Sequence, residues 1–211
     1  MRMRRKKNLE ARIDAVQALL VENPSEHWEK WRSLHTPDAP LHLELGCGKG
    51  QFARALAARN PDALIIAVEM RPNVLVAGVE AALREGLPNL RFVSGDADMM
   101  HDWFAPGEID RLYINFCDPW PHRKKAGRRL VYRGFLDKYR PLLRQGGTLQ
   151  FKTDNAPLFA FAQKELAAAG WIIVTLQPDL PRGGNNIETE YETRFRAMDT
   201  AIGYLEARPT S

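Results

Sequence analysis

A carboxylate and a dense run of cations stand next to each other near the middle of this chain. Asp118 lies in residues 116–121, Phe-Cys-Asp-Pro-Trp-Pro, and the segment 122–129 that follows carries Arg123, Lys124, Lys125, Arg128 and Arg129. The apolar run 112–114 before it predicts a buried strand, and open α/β sheets bind their ligands at the carboxyl ends of strands. Prolines on both sides of Trp120 restrict the backbone. The segment therefore predicts a rigid loop that holds a planar group beside a polyanion, with a structural turn and a solvated basic loop as the alternative.

An earlier glycine-rich segment, residues 46–50, indicates what the chemistry is. Gly46, Gly48 and Gly50 lie between a predicted strand and a predicted helix, where glycines let a ligand approach the backbone closely. The segment lacks the third glycine of the dinucleotide-binding pattern, because position 51 is Gln, and it also lacks the Gly-Lys-Ser/Thr of a P-loop. It is therefore a ligand site of another kind, or a tight strand-to-helix turn.

Three carboxylates accompany these glycines. Glu44 lies just before them, Glu69 ends the second predicted strand, and Asp96 follows the third. A carboxylate in the position of Glu69 can accept hydrogen bonds from both ribose hydroxyls of an adenosine. The three acids would repel a pyrophosphate, but they suit a ligand with a cationic sulfur and an amino group. The pattern predicts S-adenosylmethionine as the cofactor.

Length and composition limit the class of protein. The chain has 211 residues, of which 45% are hydrophobic and 27% charged, and its net charge is +4. No apolar run approaches the roughly 20 residues that span a bilayer, and the basic N-terminus lacks the apolar core of a secretory signal. We expect a cytoplasmic protein without membrane contact, either a monomer or a homodimer. Cys47 and Cys117 are the only cysteines, so neither a disulfide framework nor a four-ligand zinc site is indicated.

The hydrophobic pattern alternates between strands and helices. Strands are predicted at 41–45, 64–68, 90–93, 109–116, 148–152, 171–176 and 193–199, with a helix in each of the first five intervals. This alternation predicts an α/β fold with a doubly wound, mostly parallel seven-stranded sheet. The last two strands lack a helix between them and should pair antiparallel at one edge. Residues 41–211 are predicted to form one globular domain, and residues 1–40 a basic tail with a helical extension.

Polar residues near the later strands are candidates for substrate binding. Asp154 ends the fifth predicted strand, and the run 189–192, Thr-Glu-Tyr-Glu, stands before the last one. The glycine- and asparagine-rich segment 183–186 in front of that run predicts a flexible connection. The run could close over a substrate base, or it could belong to a hairpin loop.

The motifs together resemble the bacterial tRNA (guanine-N7-)-methyltransferases. The resemblance extends over residues 41–196, and the Asp-Pro-Trp-Pro element at 118–121 is its most specific part. It implies a class I methyltransferase fold, S-adenosylmethionine as methyl donor and tRNA as partner. The implied acceptor is N7 of a guanine in the tRNA variable loop.

The resemblance also implies roles for individual residues. Asp118 matches the catalytic position, where its carboxylate would orient the base and stabilise the charge that develops on it. The implied cofactor positions are Glu44, Gly46, Gly48, Gly50, Glu69, Asp96 and Asp118. The implied substrate positions are His122, Asp154, Thr189, Glu190, Tyr191 and Glu192. Residue 122 is commonly lysine in that family, so the chain departs from the pattern at His122.

Two other functions compete with this interpretation. Asp-Pro-Pro-aromatic loops serve methyl transfer to the exocyclic amine of adenine, but Trp120 occupies the position of the usual second proline. An RNA-binding module without catalysis would also use the basic loop. The presence of Glu44, Glu69 and Asp118 argues against such a module.

Overall fold

The computed structural model describes residues 17–184 and 186–210 and contains one central sheet. The basic tail and the first part of the predicted helical extension lie outside the described residues. The strands are β1 (Leu20–Val21), β2 (Leu41–Leu45), β3 (Leu64–Glu69), β4 (Leu90–Ser94), β5 (Ile109–Asn115), β6 (Leu143–Thr153), β7 (Trp171–Gln177) and β8 (Gly203–Pro209). Their order across the sheet is β1-β4-β3-β2-β5-β6-β8-β7.

Helices connect the parallel strands and cover the sheet. They are α1 (Gln51–Arg59), α2 (Pro72–Glu85), α3 (Met100–Trp103), α4 (Arg133–Tyr139), α5 (Ala156–Ala168) and α6 (Glu190–Arg196). Sequence signals explain several of their ends. Pro72 starts α2, and Gly86, in the left-handed conformation at φ 64°, ends it. The Asn155 side chain caps α5 by accepting a hydrogen bond from the Leu158 amide at 2.8 Å.

The sheet topology confirms the predicted doubly wound α/β fold. All pairs from β1 to β6 are parallel, and β8 runs antiparallel to both β6 and β7. β2 lies at the centre, with β3 on one side and β5 on the other, so the strand order reverses there. Ligands of open α/β sheets bind at such a reversal, beyond the carboxyl ends of the strands.

Two details of the predicted elements were wrong. The sheet has eight strands instead of seven, because Leu20 and Val21 pair with Phe92 and Val93 of β4. This two-residue strand, inside a segment predicted as helix, is too short for a periodic pattern to reveal it. The segment predicted as the last strand, 193–199, lies mostly in α6, and the strand follows at Gly203–Pro209. The buried residues of α6 are charged, so hydrophobic periodicity did not mark that helix.

Residues 17–40 pack against the sheet. They contain three short 3-10 turns, at Gln17–Leu19, Pro24–His27 and Trp31–Leu34, where the sequence had suggested helix. Trp31 is fully buried, stacks on Phe104 with ring centroids 5.0 Å apart, and donates from Nε1 to the Trp103 carbonyl at 2.8 Å. Over residues 17–184 and 186–210, no helix is long and apolar enough to cross a bilayer.

Candidate active site

The glycine-rich segment forms a tight turn between β2 and α1. Gly46, Gly48 and Gly50 all have positive φ, at 72°, 58° and 66°. The amides of Gly46 and Cys47 both donate to the Val68 carbonyl of β3, at 2.9 and 3.0 Å. Residues with a Cβ rarely adopt this backbone conformation, which explains why glycine occupies positions 46, 48 and 50.

The three glycines differ in what surrounds them. A Cβ at Gly50 would lie 2.7 Å from the Phe92 ring, so this glycine allows the turn to pack on β4. A Cβ at Gly46 would touch Leu130, in the segment that follows the basic loop, at 3.9 Å. A Cβ at Gly48 would meet no atom of the described residues within 4 Å. Gly48 therefore faces open space, as a backbone that receives a ligand must.

Glu69 supports the glycine turn from the end of β3. Its Oε2 accepts from the Gly48 amide at 3.1 Å, and its Oε1 accepts from the Arg71 amide at 2.9 Å. The carboxylate is almost completely buried. It thus holds Gly48 in place while lying at the position from which ribose hydroxyls are bound in related topologies.

Glu44 lies deeper, on the central strand β2, and is only 2% exposed. Its Oε1 accepts a hydrogen bond from Asn115 Nδ2 at 3.0 Å, whereas its buried Oε2 has no hydrogen-bond partner among the described residues. Burial raises the pKa of Glu44 to about 7, although the Asn115 hydrogen bond acts in the opposite direction. Asn115 was missed in the sequence, where its only signal was its place at the end of an apolar strand.

The Asp118 loop, residues 116–121, contains two non-glycine residues with positive φ. Phe116 has φ 51° and Trp120 has φ 39°, a conformation that is unfavourable for bulky side chains. Asp118 lies between them and is exposed. Within residues 17–184 and 186–210, no group donates a hydrogen bond to its carboxylate. The loop therefore presents a carboxylate that is free to bind a ligand.

The side chains of the basic segment fall into three groups. His122, Arg123 and Lys124 are exposed, and a 3-10 turn runs from Arg123 to Arg128. Lys125 Nζ and the Arg128 guanidinium lie over the Trp120 ring, 5.6 and 5.0 Å from its centroid. These cations lie over the indole of the loop that was predicted to hold a planar group. Arg129 instead turns inward and donates to backbone carbonyls.

Asp96 and Asp154 lie at the same edge of the sheet, after β4 and β6. The Asp96 carboxylate caps a short turn by accepting from the Asp98 amide at 3.0 Å. Asp154 is half-buried, and the described residues offer its side chain no hydrogen bond. β4 lies next to β3, which ends at Glu69, and β6 lies next to β5, which leads into the Asp118 loop. Their predicted roles in binding stay predictions.

Helix α6 joins the glycine turn to the Asp118 loop. Thr189 caps it by accepting from the Glu192 amide at 2.9 Å, and Glu190 pairs with Lys49 of the glycine turn at 3.2 Å. Tyr191 is 53% exposed and stacks on Phe116, with ring centroids 6.2 Å apart. The predicted substrate run 189–192 is therefore the first turn of a helix that bridges both loops.

Glu192 differs from its neighbours because it is completely buried. Its Oε2 pairs with Lys152 Nζ of β6 at 3.1 Å, and its Oε1 pairs with Arg196 at 2.7 Å. Lys152 also donates to the Ile187 carbonyl at 2.8 Å, and burial lowers its pKa. In this structure Glu192 anchors α6 to the sheet. Its predicted contact with substrate stays a prediction, and Lys152 was not recognised in the sequence.

Charge divides the site into two regions. Buried carboxylates surround the glycine turn, and cations surround Trp120. Asp118 stands at the start of the cationic region, in the loop that follows β5, and β5 is the neighbour of the strand that carries Glu44. Such an arrangement can hold a cationic small molecule and a polyanion at neighbouring positions of one sheet edge.

Comparison with known proteins agrees with this geometry. A family model described as "Putative methyltransferase" matches residues 38–205. The chain is 38% identical to the tRNA (guanine-N(7)-)-methyltransferase of Clostridioides difficile (strain 630), over 99% of both chains. It is 36% identical to the protein of the same name from Streptococcus suis (strain 05ZYH33), over 99% of both chains.

Solved structures show the same fold at low sequence identity. The 16S rRNA methyltransferase KamB matches with a TM-score of 0.68 and 16% identity, over 87% of this chain and 94% of that one. The 16S rRNA (adenine(1408)-N(1))-methyltransferase from Catenulisporales acidiphilia matches with a TM-score of 0.63 and 18% identity, over 89% and 94%. These structures show the fold, and the relatives at 36–38% identity over 99% of both chains show that the chain belongs to the tRNA (guanine-N(7)-)-methyltransferase family.

Proposed function

We propose that this protein transfers a methyl group from S-adenosylmethionine to N7 of a guanine in the variable loop of tRNA. One observation carries the proposal beyond family membership. The Asp118 carboxylate is exposed, accepts no hydrogen bond from the described residues, and lies in the loop after β5, which neighbours β2 and its glycine turn, directly before the cations of residues 122–129. A methyl donor and a nucleic acid can therefore meet at this residue.

The residues around the glycine turn fit S-adenosylmethionine. Glu44 keeps one buried oxygen without a partner, and Gly48 faces open space. A bound cation would satisfy that oxygen, and the absence of a phosphate avoids repulsion from the nearby acids. When bound there, the cofactor supplies an electrophilic methyl group. Glu44, Gly48 and Glu69 would hold it, and Asp96 would contribute from the neighbouring strand.

Asp118 would act on the acceptor base. Guanine N7 carries a free lone pair, so no proton has to leave before the methyl arrives. Positive charge then spreads over the purine, and a carboxylate that accepts hydrogen bonds from N1–H and the amino group strengthens them. Alignment of the two reactants accounts for most of such a reaction's acceleration. We therefore assign Asp118 the tasks of orienting the base and stabilising the developing charge.

Binding of tRNA would rest on the exposed cations of the segment 122–129. Arg123, Lys124, Lys125 and Arg128 are exposed and lie next to Asp118 in the chain. Each phosphate that such a cation neutralises adds about −0.9 to the log–log salt slope on duplex, or about −0.7 on a single strand. Helix α6 lies close to the glycine turn, because Glu190 pairs with Lys49, and it presents the exposed Tyr191 side chain. Asp154 and His122 would complete the substrate contacts.

Methyl transfer to unmodified tRNA tests the proposal directly. We expect radioactive methyl from S-adenosylmethionine to appear in tRNA as N7-methylguanosine, located in the variable loop by mapping of the modified nucleotide. N6-methyladenosine without N7-methylguanosine would instead indicate the exocyclic-amine reaction. Absence of S-adenosylmethionine binding in calorimetry, with tRNA still bound, would indicate an RNA-binding module.

A further inference from the structure

Arg129 makes contacts that set it apart from the other cations of the segment 122–129. Its Nε donates to the Pro119 carbonyl at 2.9 Å, and its Nη2 donates to the Trp120 carbonyl at 2.9 Å. The planar guanidinium offers these donors in a fixed geometry, so the two bonds define the relative positions of both carbonyls. The side chain thus binds the backbone of the two residues that follow Asp118 in the loop.

The other contact of Arg129 is with helix α5. Its guanidinium carbon lies 4.2 Å from the centroid of the Phe161 ring, within the range of a favourable cation–π interaction. Arg129 also donates its own amide to the Ala126 carbonyl at 3.1 Å, which closes the 3-10 turn. The residue therefore connects the loop, the basic turn and a helix that packs on the sheet.

These two hydrogen bonds matter because the loop has an unfavourable backbone conformation. Trp120, whose carbonyl Arg129 binds, has φ 39°, and Phe116 at the other end of the loop has φ 51°. Bulky residues keep such angles only where surrounding contacts determine them. Asp118 accepts no hydrogen bond within the described residues, so its direction depends strongly on the backbone on its two sides.

We propose that Arg129 is a positioning residue, which aims the Asp118 carboxylate by holding the Pro119 and Trp120 carbonyls, and is not a phosphate contact. Its effect on turnover rests on the proposed function, whereas its effect on the loop does not. The proposal changes the role that the sequence suggested for Arg129, and it leaves the other four cations of the segment as candidates for binding RNA.

The neighbouring Arg128 provides a matched control. It has the same charge and is exposed, but its guanidinium lies over the Trp120 ring at 5.0 Å from the centroid and makes no hydrogen bond among the described residues. Adjacent arginines are thus expected to give opposite kinetic signatures. Arg129 should affect kcat, and Arg128 should affect tRNA affinity and its salt dependence.

The test compares R129A, R129K and R128A in the full chain. We expect R129A to lower kcat by at least 10-fold, since small misplacement of a reacting group can cost about 100-fold. The KM for tRNA and the salt slope should stay close to those of the unchanged protein. R129K keeps the charge but lacks the planar guanidinium that binds both carbonyls, so it should also show a low kcat. R128A should reduce the magnitude of the salt slope by about 0.7 to 0.9 and raise the KM for tRNA.

Hydrogen exchange supplies a readout that does not depend on activity. The hydrogen-bonded amides at the start of the loop and in the basic turn, those of Phe116 and Lys125, should exchange faster in R129A and R129K than in R128A, while peptides from β2 and β3 stay protected in all three. Unchanged exchange of these two amides, or a smaller salt slope with normal kcat in R129A, would overturn the proposal. If the unchanged protein methylates no tRNA, the proposed function fails, and the exchange result still decides what Arg129 does.

Discussion

Asn115 Nδ2 donates to Glu44 Oε1 at 3.0 Å and thereby joins the ends of the neighbouring strands β5 and β2. The other oxygen of the same carboxylate is buried and has no partner among the described residues. A buried carboxylate that is half satisfied favours its protonated form in the absence of a cation. The pair therefore leaves Glu44 ready for a cationic ligand and makes it sensitive to pH.

Replacement of Glu44 by Gln should remove a pH dependence of stability. Burial raises the pKa of Glu44 from 4.5 to about 7, so between these values the folded state binds more protons than the unfolded state. The free energy of unfolding should then fall as the pH rises through that window, by roughly 3 kcal/mol at most. Urea unfolding at pH 5 and pH 8 measures the change. An identical change in E44Q would assign it to other groups.

Gly48→Ala should weaken cofactor binding without unfolding the protein. The new Cβ meets no atom within 4 Å, so the cost to stability comes from φ 58° and amounts to about 1–2 kcal/mol. The methyl group would instead enter the space left for the ligand, and we expect the Kd for S-adenosylmethionine to rise by at least 10-fold in calorimetry.

Gly86→Ala is the matched control for this change. Gly86 has φ 64°, and a Cβ there also meets nothing within 4 Å, but it lies at the end of α2 away from the glycine turn. It should lose similar stability and bind the cofactor normally. Equal Kd values for the two variants would contradict a ligand site at Gly48.

Asp118→Asn should reduce kcat by about 100- to 1,000-fold, the range found when one group that stabilises transition-state charge is removed. The amide keeps the size of the side chain but loses its charge and one acceptor. Because the exposed cations are untouched, the Kd for tRNA should change by less than about 3-fold. Filter binding and single-turnover methylation measure the two quantities separately. Near-normal turnover in this variant would exclude the proposed role of Asp118.

Lys152→Met should destabilise the protein by about 3 kcal/mol, because it leaves the completely buried Glu192 without one of its cationic partners. Loosening of α6 should follow, visible as faster hydrogen exchange over Glu190–Arg196. Lys138→Met is the comparison, since Lys138 pairs with Asp98 at 2.9 Å on the surface. That exposed pair contributes only about 0–1 kcal/mol. If both variants lost the same free energy of unfolding in urea, the buried pair would contribute no more to stability than the surface pair.

Local patterns were sufficient for the alternating strands and helices and for the glycine turn. Strand β2 has the bounds that the sequence predicted, at 41–45, and helix α1 lies in the interval where a helix was predicted. Their signals are local, because burial on a strand and the backbone freedom of glycine are read within a few residues. The same is true of the charge contrast between the acids near Gly48 and the cations after Asp118.

The partners of the charged residues were decided only by the tertiary structure. Glu44 and Asn115 are 71 residues apart in the chain, and Lys152 and Glu192 are 40 apart. Arg128 and Arg129 are identical in type and adjacent, yet one lies over an indole and the other holds two carbonyls. Sequence alone specified which charges meet at the sheet edge, since strands carry them there. Which of them face a ligand and which support the fold depends on packing between distant segments.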